Sequence, residues 1–186
     1  MKVIVAQCAA SGAIYTRQII SLLLASPLIE EVALIRSGSS EDVAAYEGVY
    51  LPLSDKRVVE YNNDNLFAPV ASGSARYEAM IVAPASVGTL GRIASGVSDS
   101  LICRAADVML KERRRLILLV RETPLSLIHL RNMTTLTEAG AIVMPASPSF
   151  YGGESTLSEL CMTLSRRVVT MVGIECGAKE WGSKKV

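Results

Sequence analysis

Five short, almost unbroken apolar runs govern what this chain can fold into: Val3 to Cys8, Val32 to Ile35, Met80 to Ala83, Leu116 to Val120 and Ile142 to Met144. A strand with one wet face alternates apolar and polar residues, whereas a continuous Val/Ile/Leu run is buried on both faces. Helical signals lie between the runs. A stretch from about Ala13 to Ala25 is closed by Pro27, and Ser39 or Ser40 opens an acidic first turn that leads to Tyr46. Small residues from Val87 form a third helix, and Ser98 or Asp99 caps a fourth that runs to about Arg113. Ser126 to Ala139 ends at Gly140, and Thr156 with Glu159 makes a capping box before Leu157 to Val172. Between Glu47 and Glu78 the pattern is weak, and Asn62-Asn63-Asp64-Asn65 and Ala71-Ser72-Gly73-Ser74 read as loops over a surface or a site.

Strand and helix in alternation, with strands buried on both faces, predict a doubly wound parallel α/β sheet of flavodoxin-like type. The 186 residues lie near the roughly 150-residue size of one domain, expected over 1–175 with 176–186 as an extension. Half of the chain is hydrophobic and 20% is charged, which excludes disorder as its overall state. The 19 basic and 18 acidic residues nearly cancel, which argues against a nucleic acid as partner. A mean hydropathy of +0.34 predicts a buried subunit interface, hence a homo-oligomer. No apolar run approaches the roughly 18 to 20 residues of a membrane span, and no secretory leader is recognised, so the expected location is the cytoplasm. Cys8, Cys103, Cys161 and Cys176 form no CxxC pair, and the single histidine, His129, completes no common zinc pattern. Reduced structural thiols and a structural histidine are expected, with no metal.

In such sheets ligands sit beyond the carboxyl ends of the strands, which directs attention to the loops after Cys8, Ile35, Ala83, Val120 and Met144. Ala9-Ala10-Ser11-Gly12 lacks the GxGxxG of a dinucleotide turn but suits a mononucleotide phosphate or an electron-rich ring edge. A plain hydroxyl helix cap explains Ser11 equally well. Ala83-Pro84-Ala85-Ser86-Val87-Gly88-Thr89 repeats that chemistry at a second strand end. The third constellation is Arg104, Lys111-Glu112-Arg113-Arg114-Arg115 and Arg121-Glu122-Thr123-Pro124. Arg113 to Arg115 read as a solvated helix end. Arg121 and Glu122 follow a buried strand, where a carboxylate beside arginines either serves a phosphate leaving group or makes a structural ion pair.

Taken together, Ala10-Ser11-Gly12-Ala13-Ile14-Tyr15, Pro84 to Leu90, Arg104 to Arg114, Val120 to Leu125, His129-Leu130, Met133, Ala141 to Pro145 and Phe150-Tyr151 resemble the UbiX family of flavin prenyltransferases. The resemblance is collinear from about residue 3 to residue 182. It implies a metal-independent enzyme that transfers a dimethylallyl group from dimethylallyl monophosphate to N5 and C6 of reduced FMN. The product, prenylated FMN, would serve a UbiD-type decarboxylase. By motif position it implies FMN contacts at Ala10, Ser11, Gly12, Ser37, Ser86, Val87, Gly88, Thr89 and Arg121. Prenyl-phosphate contacts are implied at Lys111, Glu122, Tyr151 and Arg167, with Arg104 nearby, Trp181 matching a C-terminal aromatic-glycine pair and Glu47 matching a site glutamate. Catalytic roles fall on Ser11, Glu47, Lys111 and Glu122, and the family's assembly implies a dodecamer. No DDxxD pair stands ready to hold magnesium around a diphosphate, which agrees with fixed cations on a monophosphate.

The chain departs from the family at three places. Ala9 replaces the usual glycine and so needs a negative φ. Arg115 replaces a proline, and Leu66-Phe67 stands where some relatives place tryptophan. Flavin-dependent cysteine decarboxylases share the Pro-Ala-Ser loop, but their histidine on an early helix and their Pro-x-Met-Asn clamp are missing here. A non-catalytic FMN carrier would have no need of Lys111, Glu122, Tyr151 and Arg167.

Overall fold

The computed structural model describes residues 1–178 and residue 182. Six strands form one parallel sheet: β1 (Lys2–Gln7), β2 (Glu31–Arg36), β3 (Val58–Asn62), β4 (Ala79–Ala85), β5 (Arg115–Val120) and β6 (Ile142–Pro145), in the order β3-β2-β1-β4-β5-β6. The helices are α1 (Ala13–Leu24), α2 (Ser40–Tyr46), α3 (Val87–Ala94), α4 (Leu101–Lys111), α5 (Leu127–Glu138) and α6 (Leu157–Met171). The expected doubly wound fold is therefore present. Without the edge strand β3, the order is that of flavodoxin. The chain winds outward from β1 through β2 to β3, then restarts on the other side of β1 at β4. That reversal leaves a crevice between the carboxyl ends of β1 and β4.

Both faces of the inner strands are dry. Ile4, Ala6, Ala33, Ile35, Met80, Val82, Leu116 and Leu118 pack with α3 and α4 on one face. Val3, Val5, Val32, Leu34, Ile81, Ile117 and Leu119 pack with α1 and α6 on the other. The capping box at Thr156 and Glu159 forms as expected, and Ser126 makes another with His129, whose Nδ1 accepts from the Ser126 N–H at 3.2 Å. His129 is thereby a structural residue.

The weak stretch after Glu47 is more ordered than its sequence suggests. It holds β3, paired in register from Val32 with Val58 to Arg36 with Asn62, and two short 3-10 turns, Pro69–Ala71 and Gly73–Ala75. Strand β3 is an edge with partly exposed side chains, so its Val-Val-Glu-Tyr-Asn carries no continuous apolar signal. Asn63, read as a loop residue, anchors α4: its carbonyl accepts from the Leu101 N–H at 2.7 Å and its side chain from the Ile102 N–H at 3.0 Å. The cap of α4 is Ser100, two residues beyond Ser98.

Helices α1 and α6 are joined by a buried polar network. Gln18 Nε2 donates to the Ser158 carbonyl at 2.8 Å, and Ser165 Oγ donates to Gln18 Oε1 at 2.8 Å. Replacing Gln18 by Leu leaves a fully buried serine hydroxyl unpaired, which costs about 1–3 kcal/mol and lowers Tm by several degrees. The double variant Gln18→Leu/Ser165→Ala, which removes both partners, should recover most of that loss in a thermal melt.

Candidate active site

The crevice is closed at its base by contacts between its two loops. The Cys8 N–H donates to the Pro84 carbonyl at 3.2 Å, and the Cys8 thiol donates to Thr89 Oγ1 at 3.3 Å. Thr89 also lies 3.0 Å from Ser86 Oγ, and Ser86 caps α3 by accepting from the Thr89 N–H. The expected loops after β1 and β4 thus form one wall. Burial pushes the Cys8 thiol above its ordinary pKa, so at neutral pH it is a hydrogen-bond donor and not a nucleophile. This tie escapes sequence reading because a cysteine at the end of an apolar run looks like one more core residue.

Gly12 opens α1 with φ +112°, and a Cβ there would stand 3.2 Å from the Tyr15 ring and 3.9 Å from Arg121 Cγ. Only glycine fits this approach of backbone to side chain. Ala9 is not among the non-glycine residues with positive φ, so the substituted turn closes as the sequence requires. Ser11 is exposed at the tip of the turn.

Glu47, which ends α2, lays its carboxylate across the start of α1: Oε1 accepts from the Gly12 N–H and Oε2 from the Ala13 N–H, both at 2.8 Å. This anion already compensates the positive end of the α1 dipole, so a phosphate there would meet like charge. The start of α3 is different. A Cβ added at Gly88 meets only Arg92 Nη1 at 3.7 Å, so the turn offering the Ser86 and Thr89 hydroxyls is open above. Of the two candidate phosphate loops, electrostatics selects the second.

Ser37 follows β2 and Arg121 follows β5 on the same carboxyl edge. The Ser37 N–H donates to the Gln7 carbonyl at 2.9 Å, but Ser37 Oγ is buried without a partner, and so is Arg121 Nε. Buried polar atoms are paired in stable folds unless a ligand completes them. An aromatic mononucleotide with many acceptors, as FMN is, fits this set. Glu122 accepts from the Thr123 N–H at 3.0 Å and, among the described residues, pairs with no arginine. The structural ion pair considered from sequence is therefore not formed.

The remaining predicted residues come from the loop after β6, from α6 and from α4. Tyr151 and Arg167 line one cavity of about 900 Å³ between the 147–155 loop and α6, and Tyr151 is 70% exposed. Arg104 donates to the Ala71 carbonyl at 3.1 Å and pairs with Asp107. Lys111 ends α4 at the amino edge of the sheet, bonded to Glu112 at 2.5 Å, four residues before β5 begins at Arg115. The cluster of Lys111 with Glu122 expected from sequence does not exist within one protomer, because a helix returning antiparallel to the strands carries its last turn to the opposite edge. Arg114 and Arg115 are structural rather than merely solvated, donating to the carbonyls of Tyr77, Gly73 and Met171. Trp181 lies outside the described residues.

The pattern that defines the Flavoprotein family matches residues 1–169. Flavin prenyltransferase UbiX of Methanocaldococcus jannaschii is 39% identical over 98% of this chain and 100% of its own length. Among solved structures, AnUbiX (PadA1) in complex with FMN and dimethylallyl pyrophosphate superposes with a TM-score of 0.91 at 39% identity, covering 99% of this chain and 98% of its own. A dodecameric FMN-dependent UbiX-like decarboxylase from Escherichia coli O157:H7 also gives a TM-score of 0.91, at 35% identity over 98% of this chain and 100% of its own. With likeness of this extent added to a crevice whose loops carry the flavoprotein motifs, the chain belongs to the UbiX family of flavin prenyltransferases.

Proposed function

We propose that the protein binds reduced FMN and joins to its N5 and C6 atoms a dimethylallyl group taken from dimethylallyl monophosphate, making prenylated FMN for a UbiD-type decarboxylase. The observation that carries this reading is that Ser37 Oγ and Arg121 Nε, at the carboxyl ends of β2 and β5, are both buried without a partner on the edge that also carries the open turn of α3. Reduced FMN supplies the nucleophilic ring atoms. Ser86, Gly88, Thr89 and the start of α3 hold its phosphate, while Arg121 and Ser37 complete hydrogen bonds to it. Ala10, Ser11, Gly12 and Val87 shape the approach of the ring, with Gly12 allowing close contact. Glu47 keeps the α1 turn rigid and already neutralised.

The difficult step is departure of phosphate from the allylic carbon, because negative charge grows on its oxygens. Arg167 as a cation and Tyr151 as a hydroxyl donor stabilise that charge. Glu122, held on a strand-end loop and free of any arginine, takes up the proton released at flavin C6. A carrier of FMN alone would have no need of the Tyr151 and Arg167 cavity.

Within one chain Lys111 stands at the amino edge of the sheet, opposite the crevice, so a neighbouring subunit supplies it to each site. Arg104, on the same helix, reaches a site by the same route. An assembly is supported by Phe67 and Tyr46, 100% and 96% exposed, and by α5, which buries only Leu136 and presents Leu127, Ile128 and Leu130 outward. Among the described residues no helix is long and apolar enough to cross a membrane.

Two experiments test this reading. Glu122→Gln should bind FMN as the wild type does while slowing single-turnover prenylation by about 10² to 10⁴; an unchanged rate would remove the proton-transfer role. Arg121→Ala and Lys111→Ala should each be inactive alone, yet co-assembled subunits should regain roughly a quarter of the wild-type sites, as random assortment across a shared interface requires. Complete absence of complementation would place each site within a single chain.

A further inference from the structure

Gln7 ends β1 at the reversal of the sheet, where the preceding Val3-Ile4-Val5-Ala6 leads one to expect another apolar residue. Its side chain is 1% exposed, and neither Nε2 nor Oε1 has a hydrogen-bond partner. A carboxamide offers two donors and an acceptor, and a buried one that meets none of them calls for an explanation. Its position supplies one. The Gln7 carbonyl accepts from the Ser37 N–H, so Gln7 and Ser37 are neighbours across β1 and β2. By strand alternation its side chain shares the face of Val3 and Val5, which is packed by α1, the helix whose first turn Glu47 holds. Ser37 Oγ and Arg121 Nε, at the ends of β2 and β5, are sealed and unpartnered in the same way.

We infer that Gln7 is a flavin-binding residue of this chain, its carboxamide completing hydrogen bonds to an adjacent donor and acceptor on bound FMN such as the C=O/N–H edge of the pyrimidine ring offers. The inference rests on the flavin reading above and adds to it a residue that the family motifs do not mark. An apolar side chain of the same size would suit the protein without ligand better, since nothing there satisfies the amide. Gln7 therefore sacrifices stability of the ligand-free fold for affinity toward a polar ring edge, and because its atoms are sealed, FMN entry must move the side chains that cover it.

The test compares wild type with Gln7→Met and Gln7→Leu, two apolar near-isosteres, so that the result does not depend on how one of them packs. Affinity for oxidised FMN is measured by quenching of flavin fluorescence, and Tm is measured with and without saturating FMN. Both variants should bind FMN about tenfold more weakly, the ligand-free Tm should rise, and the Tm gain on adding FMN should shrink. If the wild type binds FMN and the variants bind it equally well, this inference falls while the flavin reading stands. A lowered ligand-free Tm with unchanged affinity would also overturn it and make Gln7 a purely structural group. If the wild type itself fails to bind FMN, both readings fall together.

Discussion

The reversal of winding at β1 is the constraint on which the site depends. Because β2 and β4 flank the same strand from opposite sides, the loop after β1 and the loop after β4 meet at the carboxyl edge of the sheet where the winding reverses. The thiol-to-hydroxyl contact between Cys8 and Thr89 joins the two loops, and the backbone bond from Cys8 to Pro84 sets their register. Every candidate residue on the carboxyl edge takes its place from this frame. It is dry beneath, since the strands that carry it are buried on both faces, so the polar groups above sit where their hydrogen bonds are strongest.

Two helix N-termini open into this crevice, and charge distinguishes them. The Glu47 carboxylate on the first converts a potential anion site into a neutral turn suited to lie against an uncharged ring. The second keeps its hydroxyls and its open approach for a phosphate. Under the proposed reading, a ligand with a phosphate at one end and a flat ring at the other would thereby take one direction across the sheet edge. Lys111, at the opposite edge of the sheet, could join such a ligand only from a neighbouring subunit, and under the proposed reading that assembly would cover the apolar side chains left outside the core.

Much of this is legible in the sequence, and the reasons for the exceptions are physical. Runs such as Leu116 to Val120 announce their strands because burial on both faces leaves no polar position. Strand β3 is hidden because an edge strand obeys neither the continuous nor the cleanly alternating pattern. Asn63 passes for loop because a cap that acts from a distant segment has no local spacing to reveal it. Ser37, Ser86, Thr89 and Arg121 stand on the carboxyl edge because each follows a strand directly, whereas motif position says nothing about which edge a helix end occupies, as at Lys111. Gln7 was visible as one polar residue in an apolar strand, yet only the sealed carboxamide without a partner gives that oddity meaning.

Transfer of a prenyl unit to a flavin by these groups is open to direct measurement. The purified protein is incubated without oxygen with reduced FMN and dimethylallyl monophosphate, and the extracted flavin is weighed by mass spectrometry. The account predicts a flavin heavier by one isoprene unit, formed only when protein, reduced flavin and prenyl monophosphate are all present. Recovery of unmodified FMN alone, from protein shown to hold it, would contradict the account.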